Sequence, residues 1–277
     1  MSDIISVEQL EKMQAEDEVT IIDVRGHLTK HDYGKRIYNE AHIPGAFFLD
    51  MEKDLSGEVK QHGGNHPLPD VMELAKKLGE IGVHPKRKVV VYDDVDMVFA
   101  ARAWWLLRHI GHEEVMVLEG GYKAWVDQGN EVTSQQPHAE RVHYPISVAK
   151  DDIVSMEEVR NRDRTKSVLI DSRSFERYIG EVEPLYAKAG HIPGAKNYFW
   201  KDVLTADQKM KASSSLQSHF QALQDAEEII VSCGSGVSAC PNILALKRAG
   251  FTNVKLYPGS FSDWISYEEN EVEQGEA

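Results

Sequence analysis

The chain has 277 residues, of which 42% are hydrophobic, enough to build one or two packed domains. With 45 acidic against 31 basic residues, its formal net charge of -14 argues against nucleic acid or an anionic membrane surface as a partner. There are 2 cysteines, no cationic leader and no long apolar stretch. These features predict a cytoplasmic protein without a disulfide framework or a membrane anchor.

The same order of elements occurs twice along the chain. The paired segments are capped helix starts at 6–10 and 155–159, strands running into Asp-x-Arg at 21–25 and 169–173, His-Ile-Pro-Gly-Ala at 42–46 and 191–195, apolar strands at 89–93 and 229–233, and Gly-aromatic-Trp elements at 120–125 and 259–264. A five-residue identity within a preserved order is hard to attribute to chance. The chain is therefore predicted to contain two copies of one domain.

Each copy alternates short β-branched runs with longer helical patterns, such as those at 100–109 and 242–248. This alternation is typical of βαβ units, so we expect the α/β class, with a mainly parallel sheet flanked by helices in each copy. The polar stretch 133–140 has no periodicity and is the best linker candidate. It divides the chain into a first domain at 1–135 and a second at 136–277.

A cysteine ends the last long strand of the second copy. Cys233 is followed by a loop of small residues, namely Gly234, Ser235, Gly236, Val237, Ser238 and Ala239, and then by a helical pattern. The glycines allow the backbone to turn its N–H groups toward the sulfur, and the helix start adds partial positive charge. We expect a stabilised thiolate that attacks as a nucleophile, with the resulting anion held by the loop amides. In the first copy, Asp93 takes the position of the cysteine, so that domain is predicted to be non-catalytic.

Together, the paired motifs, the cysteine loop and the Gly-aromatic-Trp elements resemble the tandem-domain rhodaneses, a sulfurtransferase family, over nearly the whole chain. Within the family, the neutral loop is most similar to that of the 3-mercaptopyruvate sulfurtransferases, which have Thr in place of Ser238. Thiosulfate enzymes instead carry Arg and Lys directly after the cysteine. The resemblance implies an enzyme that moves a sulfane sulfur from a small anionic donor, through a Cys233 persulfide, to a thiol, cyanide or thioredoxin-like acceptor. It implies no cofactor, and the sequence has no metal-ligand spacing.

The resemblance also implies roles for residues outside the amide loop. It places Ser235 nearest the leaving sulfur in a hydroxyl relay, and Arg177 at the substrate carboxylate, which a planar guanidinium suits well. Glu52 stands where the family has an aspartate of the first domain, and His66 matches a histidine near the same cleft. One departure is Leu185, at a position where the 3-mercaptopyruvate enzymes commonly have a second arginine.

Several alternatives stay open on the sequence alone. Thiosulfate is the runner-up donor, and a sulfur carrier or sensor without turnover is the alternative from another class. A cysteine phosphatase is disfavoured, because Ala239 occupies the place of the phosphate-binding arginine. Ser235 could merely satisfy a turn, and Arg177 could form an exposed ion pair. Arg173 has a counterpart in the non-catalytic copy, Arg25, so we expect it to pair with a nearby carboxylate.

Overall fold

The computed structural model describes residues 3–30, 32–94, 96–149 and 151–276, which form two compact units. The first unit takes the described residues up to 57 together with 69–149 and 206–209. The second unit takes 58–68, 151–205 and the residues from 210 onward. Segment 58–68 therefore belongs to the second unit, although it lies within the first repeat of the sequence.

Five parallel strands form the sheet of the first unit, in the order β1-β5-β4-β2-β3. The strands are β1 (Ile4–Ile5), β2 (Val19–Asp23), β3 (Ala46–Phe48), β4 (Lys88–Tyr92) and β5 (Val115–Leu118). The helices are α1 (Val7–Ala15), α2 (Tyr33–Glu40), α3 (Val71–Glu80), α4 (Val98–His109) and α5 (Gly121–Asp127). Every residue of β2 is buried, as expected for a strand covered on both faces.

Four parallel strands form the sheet of the second unit, in the order β7-β6-β8-β9. They are β6 (Ser167–Asp171), β7 (Lys196–Asn197), β8 (Glu228–Ser232) and β9 (Val254–Leu256). The helices are α6 (Met156–Asn161), α7 (Phe175–Ile179), α8 (Ser213–His219), α9 (Cys240–Arg248) and α10 (Ser260–Trp264), with 3₁₀ turns at Trp200–Val203 and Gln221–Leu223. An isolated parallel bridge joins Ile153 to Leu256, at the edge position that β1 holds beside β5. The α/β class predicted from the sequence is confirmed.

The repeated histidines hold equivalent turns in the two units. His42 is buried, stacks on Tyr38 at a ring distance of 4.0 Å and places Nδ1 2.7 Å from the Tyr38 carbonyl oxygen. His191 is likewise buried, stacks on Tyr178 at 4.0 Å and places Nδ1 2.9 Å from the Tyr178 carbonyl oxygen. These contacts explain why both histidines precede Ile-Pro-Gly-Ala, and they give each a structural role.

Strand register makes the two central loops equivalent. Asp23 on β2 pairs with Tyr92 on β4, and Asp171 on β6 pairs with Ser232 on β8. The next residues along the chain, Asp93 and Cys233, therefore occupy the same position at the carboxyl ends of their sheets. Ligands of open parallel sheets bind at these ends.

After the predicted linker, the chain continues along the first unit. The backbone amide of Val142 donates to the carbonyl of Gly79 at 2.9 Å, and that of Ala149 donates to His109 at 2.8 Å. The domain division at 135/136 stays a prediction. Among the described residues, no helix is both long and apolar enough to cross a membrane. The cytoplasmic location also stays a prediction.

Candidate active site around Cys233

Cys233 directly follows β8 and is fixed from three sides. Its side chain is 1% exposed, and the amide of Gly236 donates to Sγ at 3.1 Å. Its own amide donates to Oγ of Ser260 at 3.0 Å, while its carbonyl oxygen accepts from the amide of Phe261 at 3.0 Å. The start of α10 thus anchors the backbone, and the side chain turns into the loop.

The two glycines of the loop lie against different neighbours. Gly236 has a φ of +81°, and a Cβ there would lie 2.2 Å from the carbonyl oxygen of Pro258. Gly234 has no such dihedral constraint, but its Cβ would lie 2.6 Å from the hydroxyl oxygen of Tyr186. Any larger residue would displace the loop or the tyrosine. The sequence predicted that both glycines are needed for backbone freedom, and the positive φ supports this reason for Gly236.

The remaining loop residues are mostly buried before α9 begins. Val237 and Ala239 are buried, and Ser238 is half-buried. Cys240, the first residue of α9, is also buried, and its Sγ lies 3.4 Å from the carbonyl oxygen of Gly236. This contact supports the interpretation of Cys240 as a packed residue. The amide of Gly236 donates to the sulfur. The anion-binding role of the other loop residues stays a prediction.

Ser235 meets His66 within the second unit. Nδ1 of His66 lies 2.7 Å from Oγ of Ser235, which is 7% exposed and only two residues from Cys233. A serine that merely completed a turn would not need a histidine at hydrogen-bond distance. The geometry suits proton exchange between the hydroxyl and the imidazole.

Segment 62–66 places His66 beside the loop through contacts with α10 and with Gly259, which directly precedes α10. Gly63 donates to the carboxylate of Asp263 at 2.7 Å, and Asn65 donates to Oγ of Ser262 at 3.1 Å. A Cβ on Gly64, whose φ is +81°, would lie 2.4 Å from the carbonyl oxygen of Gly259. Gly64 was the sequence signal that this segment lies against another backbone.

Arg177 takes part in a buried charge cluster. Its Nε and Nη2 donate to Glu183 at 3.2, 2.8 and 2.9 Å, and its side chain is 20% exposed. The side chain of Glu183 is 2% exposed and also accepts from Arg173, whose other carboxylate partner is Asp171 at 2.6 Å. Burial alone would lower the pKa of Arg173, but the two carboxylates raise it above its usual value. The predicted pairing of Arg173 is confirmed.

The comparisons with known proteins agree with this geometry. The family described as "Rhodanese-like domain" matches residues 6–128 and again 155–267. The protein belongs to the rhodanese-like family. A Pseudomonas aeruginosa protein named "Probable 3-mercaptopyruvate sulfurtransferase" is 38% identical over 99% of this chain and 98% of its own length. "Thiosulfate sulfurtransferase" of Rattus norvegicus is 30% identical over 93% and 89%.

Solved structures extend the similarity to three dimensions. The crystal structure of SseA from Escherichia coli, described among the 3-mercaptopyruvate sulfotransferases, is 30% identical and has a TM-score of 0.81 over 95% of this chain and 100% of its own. The prediction of two tandem rhodanese-like domains is confirmed by these matches. Since the relatives are sulfurtransferases by name, the prediction that this rhodanese is an enzyme of that class is confirmed as well.

Glu52 belongs to the first unit of this rhodanese, whereas Cys233 belongs to the second. It follows β3 in a turn where its amide donates to the carboxylate of Asp50 at 2.9 Å. Together with Arg25 and Lys53, it lines a cavity of about 210 Å³ in that unit. Its catalytic role stays a prediction. No cluster of potential metal ligands is present among the residues that the structure describes.

Two residues of the site were not predicted from the sequence. No role was predicted for Glu183, but it is the acceptor shared by two arginines. Tyr186 carried no motif, yet its hydroxyl lies against Gly234. A signal for Glu183 was present: two arginines in a short segment of the second repeat need more than one buried carboxylate.

Proposed function

We propose that this rhodanese is a 3-mercaptopyruvate sulfurtransferase that carries sulfur as a persulfide on Cys233. The observation that carries the proposal is the placement of Sγ in a loop without charged side chains, beside the Ser235–His66 pair. The name of the P. aeruginosa relative supports the choice of donor. A neutral loop fits a donor whose leaving group is stabilised by protonation and not by fixed cations.

In the first half-reaction, the Cys233 thiolate attacks the sulfur of 3-mercaptopyruvate. A sulfur–sulfur bond forms, the carbon–sulfur bond breaks, and its electron pair leaves on the enolate of pyruvate. The proton that began on the donor thiol ends on the methyl carbon of pyruvate. The outer sulfur of the persulfide then carries a negative charge, which we assign to the amides of the loop from Gly234 through Gly236, Val237 and Ser238 to Ala239.

The Ser235–His66 pair moves the proton in this proposal. Oγ of Ser235 takes the proton of the donor thiol while it passes its own proton to Nδ1 of His66. The reverse transfer delivers a proton to the enolate carbon. The 2.7 Å separation of the two side chains is a distance at which such transfer occurs without a bridging water.

The negative end of the donor binds at Arg177. Because Glu183 fixes Nε and Nη2, the guanidinium keeps one orientation and loses little side-chain entropy when a carboxylate arrives. We also retain the catalytic assignment of Glu52, on the strength of its position in the motif. In the second half-reaction, a thiol, cyanide or a thioredoxin-like protein takes the outer sulfur, and the Cys233 thiolate is regenerated.

Thiosulfate is the second candidate donor. The relative from R. norvegicus carries that name, and the Cys233 thiolate could displace sulfite from thiosulfate by the same attack. The chemistry at Cys233 would then be unchanged, but the Ser235–His66 pair would have no proton to move. The two candidates therefore predict different effects of removing the Ser235 hydroxyl.

The test is the intact mass of the protein after brief, separate exposures to 3-mercaptopyruvate and thiosulfate. We expect one added sulfur atom on the wild type, formed faster from 3-mercaptopyruvate, and none on Cys233→Ser. Faster loading from thiosulfate would replace the donor assignment. No added sulfur from either donor would contradict the persulfide mechanism. Repeated turnover with cyanide or a small thiol then separates an enzyme from a carrier that loads once and stops.

A further inference from the structure

Tyr186 lies over the residue that follows Cys233. Its hydroxyl oxygen would be 2.6 Å from a Cβ on Gly234, so the phenol end of the ring rests on the loop backbone. The ring is tilted by 60° against that of Phe261, at 6.0 Å, and the guanidinium carbon of Arg177 lies 5.3 Å from its centroid. The half-buried ring is thus held on two sides, and its polar end faces the catalytic loop.

The charges of the arginine cluster beside Tyr186 cancel, so they supply no net positive charge to offset the Cys233 thiolate. The cluster contains two cations and two anions, namely Arg173, Arg177, Asp171 and Glu183. Its formal charge therefore sums to zero, and the loop 234–239 adds no charged side chain. An anionic donor near Cys233 consequently gains little from net charge and depends on hydrogen bonds aimed at it.

We propose that the Tyr186 hydroxyl is a substrate-binding donor that, together with Arg177, binds the oxyanion group of the sulfur donor. This inference rests on the proposed function, and for 3-mercaptopyruvate the group is the carboxylate. Only two carbon atoms separate that carboxylate from the sulfur that Cys233 attacks. A group that binds it must therefore lie close to the loop, as the Tyr186 hydroxyl does.

The phenol is in the form that can donate. Burial raises the pKa of Tyr186 above its ordinary value, and the charge of Cys233 raises it further, while the charge of Arg177 and a hydrogen bond from it act in the opposite direction. The hydroxyl thus keeps its proton at neutral pH. The competing explanation is that the ring only covers Gly234 by packing, and this role needs no hydroxyl.

Tyr186→Phe separates these explanations, because it keeps the ring contacts with Phe261 and Gly234 and removes only the hydroxyl. We would measure steady-state kinetics with 3-mercaptopyruvate, and Cys233 loading from inorganic polysulfide, which has no carboxylate. The matched control is Tyr198→Phe, another half-buried tyrosine of the second unit, which has a ring contact with His219. Thermal unfolding of each variant checks that it is folded.

For Tyr186→Phe, we expect the KM for 3-mercaptopyruvate to rise about tenfold or more, which is the loss of one hydrogen bond to a charged group, with kcat little changed. Loading from polysulfide should be unchanged, and Tyr198→Phe should match the wild type in both assays. An unchanged KM, or an equal loss with both donors, would overturn the proposal. Failure of the wild type to load from 3-mercaptopyruvate would instead contradict the donor assignment. The same KM comparison with thiosulfate would then decide the role of Tyr186.

Discussion

The loops that end the two central strands share a scaffold and differ in what their amides bind. The carbonyl of Asp93 accepts from the amide of Tyr122 at 2.9 Å, as that of Cys233 accepts from Phe261 at 3.0 Å. The Asp93 carboxylate, however, accepts from the amides of Phe99 and Ala100 at 2.7 and 2.9 Å and so caps α4. In the first unit an aspartate side chain satisfies the helix start, whereas in the second unit the turn delivers an amide to a reactive sulfur.

The arginines of the two Asp-x-Arg motifs show a second difference. Arg25 pairs with Asp23 at 2.7 Å, with its guanidinium carbon 3.8 Å from the centroid of Tyr122. Arg173 repeats this arrangement with Asp171 and the ring of Phe261, at 4.0 Å. The second unit adds Glu183, which joins Arg173 to Arg177. The shared pair is therefore part of the fold, and the added carboxylate is part of the site.

The largest effect is expected from exchanging the residues at the two equivalent positions. Cys233→Ser should abolish sulfur transfer, and adding Asp93→Cys to that variant should not restore it, because the first loop lacks the glycine turn that aims an amide at the sulfur. Turnover and intact mass measure both outcomes. Cys240→Ala is the control and should still load one sulfur. Activity in the double variant would show that a cysteine after the central strand is sufficient in either unit.

The next effect concerns proton transfer beside Cys233. Ser235→Ala and His66→Ala should each lower kcat with 3-mercaptopyruvate by about 10²-fold, the usual size of a general acid–base contribution. Because the two side chains act as a pair, the double variant should be about as slow as either single one. Ser218→Ala, at an exposed serine, should have no effect. Multiplicative losses in the double variant would separate the two residues into independent roles.

The buried cluster should control stability in the second unit alone. Glu183→Gln removes one carboxylate partner from each of two arginines, so the free energy of unfolding should fall by about 3 kcal/mol. Amide hydrogen exchange would show the loss in peptides of the second unit, while peptides of the first unit keep their protection. Glu181→Gln, two residues away and exposed, is the matched control. A change as small as that of the control would mean that the ion pairs of Glu183 contribute little to stability.

Much of this arrangement could be predicted from the sequence, because it depends on local patterns. The alternation of strands and helices indicated the sheet class, and the strand–Cys–Gly turn indicated the nucleophile. The contact between His66 and Ser235 could not be worked out in this way, since it joins residues 169 positions apart without any periodic signal. The partner of Arg177 was missed for a different reason. Nothing in the pattern around Glu183 indicates that its side chain is buried, and only the structure shows that it accepts from two arginines.

A smaller loss of stability is expected from the non-catalytic loop. Asp93→Ala removes the cap of α4 and should lower the free energy of unfolding by about 1–2 kcal/mol. Sulfur transfer at saturating donor should not change. Asp93→Asn, which keeps one acceptor oxygen, should lose less. Reduced transfer in folded Asp93→Ala would contradict the assignment of a purely structural role to this loop.

The smallest effect is a pH dependence of the first unit. His112 is fully buried, with Nε2 2.9 Å from the carbonyl oxygen of Arg87 and Nδ1 3.0 Å from the hydroxyl of Tyr144. Burial lowers its pKa below the ordinary value, so below that value the unfolded chain binds more protons than the folded one. The stability contributed by His112 is therefore complete above the unfolded pKa and is lost as pH falls.

Hydrogen exchange in first-unit peptides would measure this loss between about pH 7.5 and about pH 5.5, the range in which histidine titrates. After correction for the intrinsic exchange rate at each pH, protection should fall more steeply in the wild type than in His112→Gln. The difference between the two proteins matters, because carboxylates contribute to both slopes. Equal slopes would mean that His112 binds its proton equally well in the folded and the unfolded protein, which would contradict the lowered pKa.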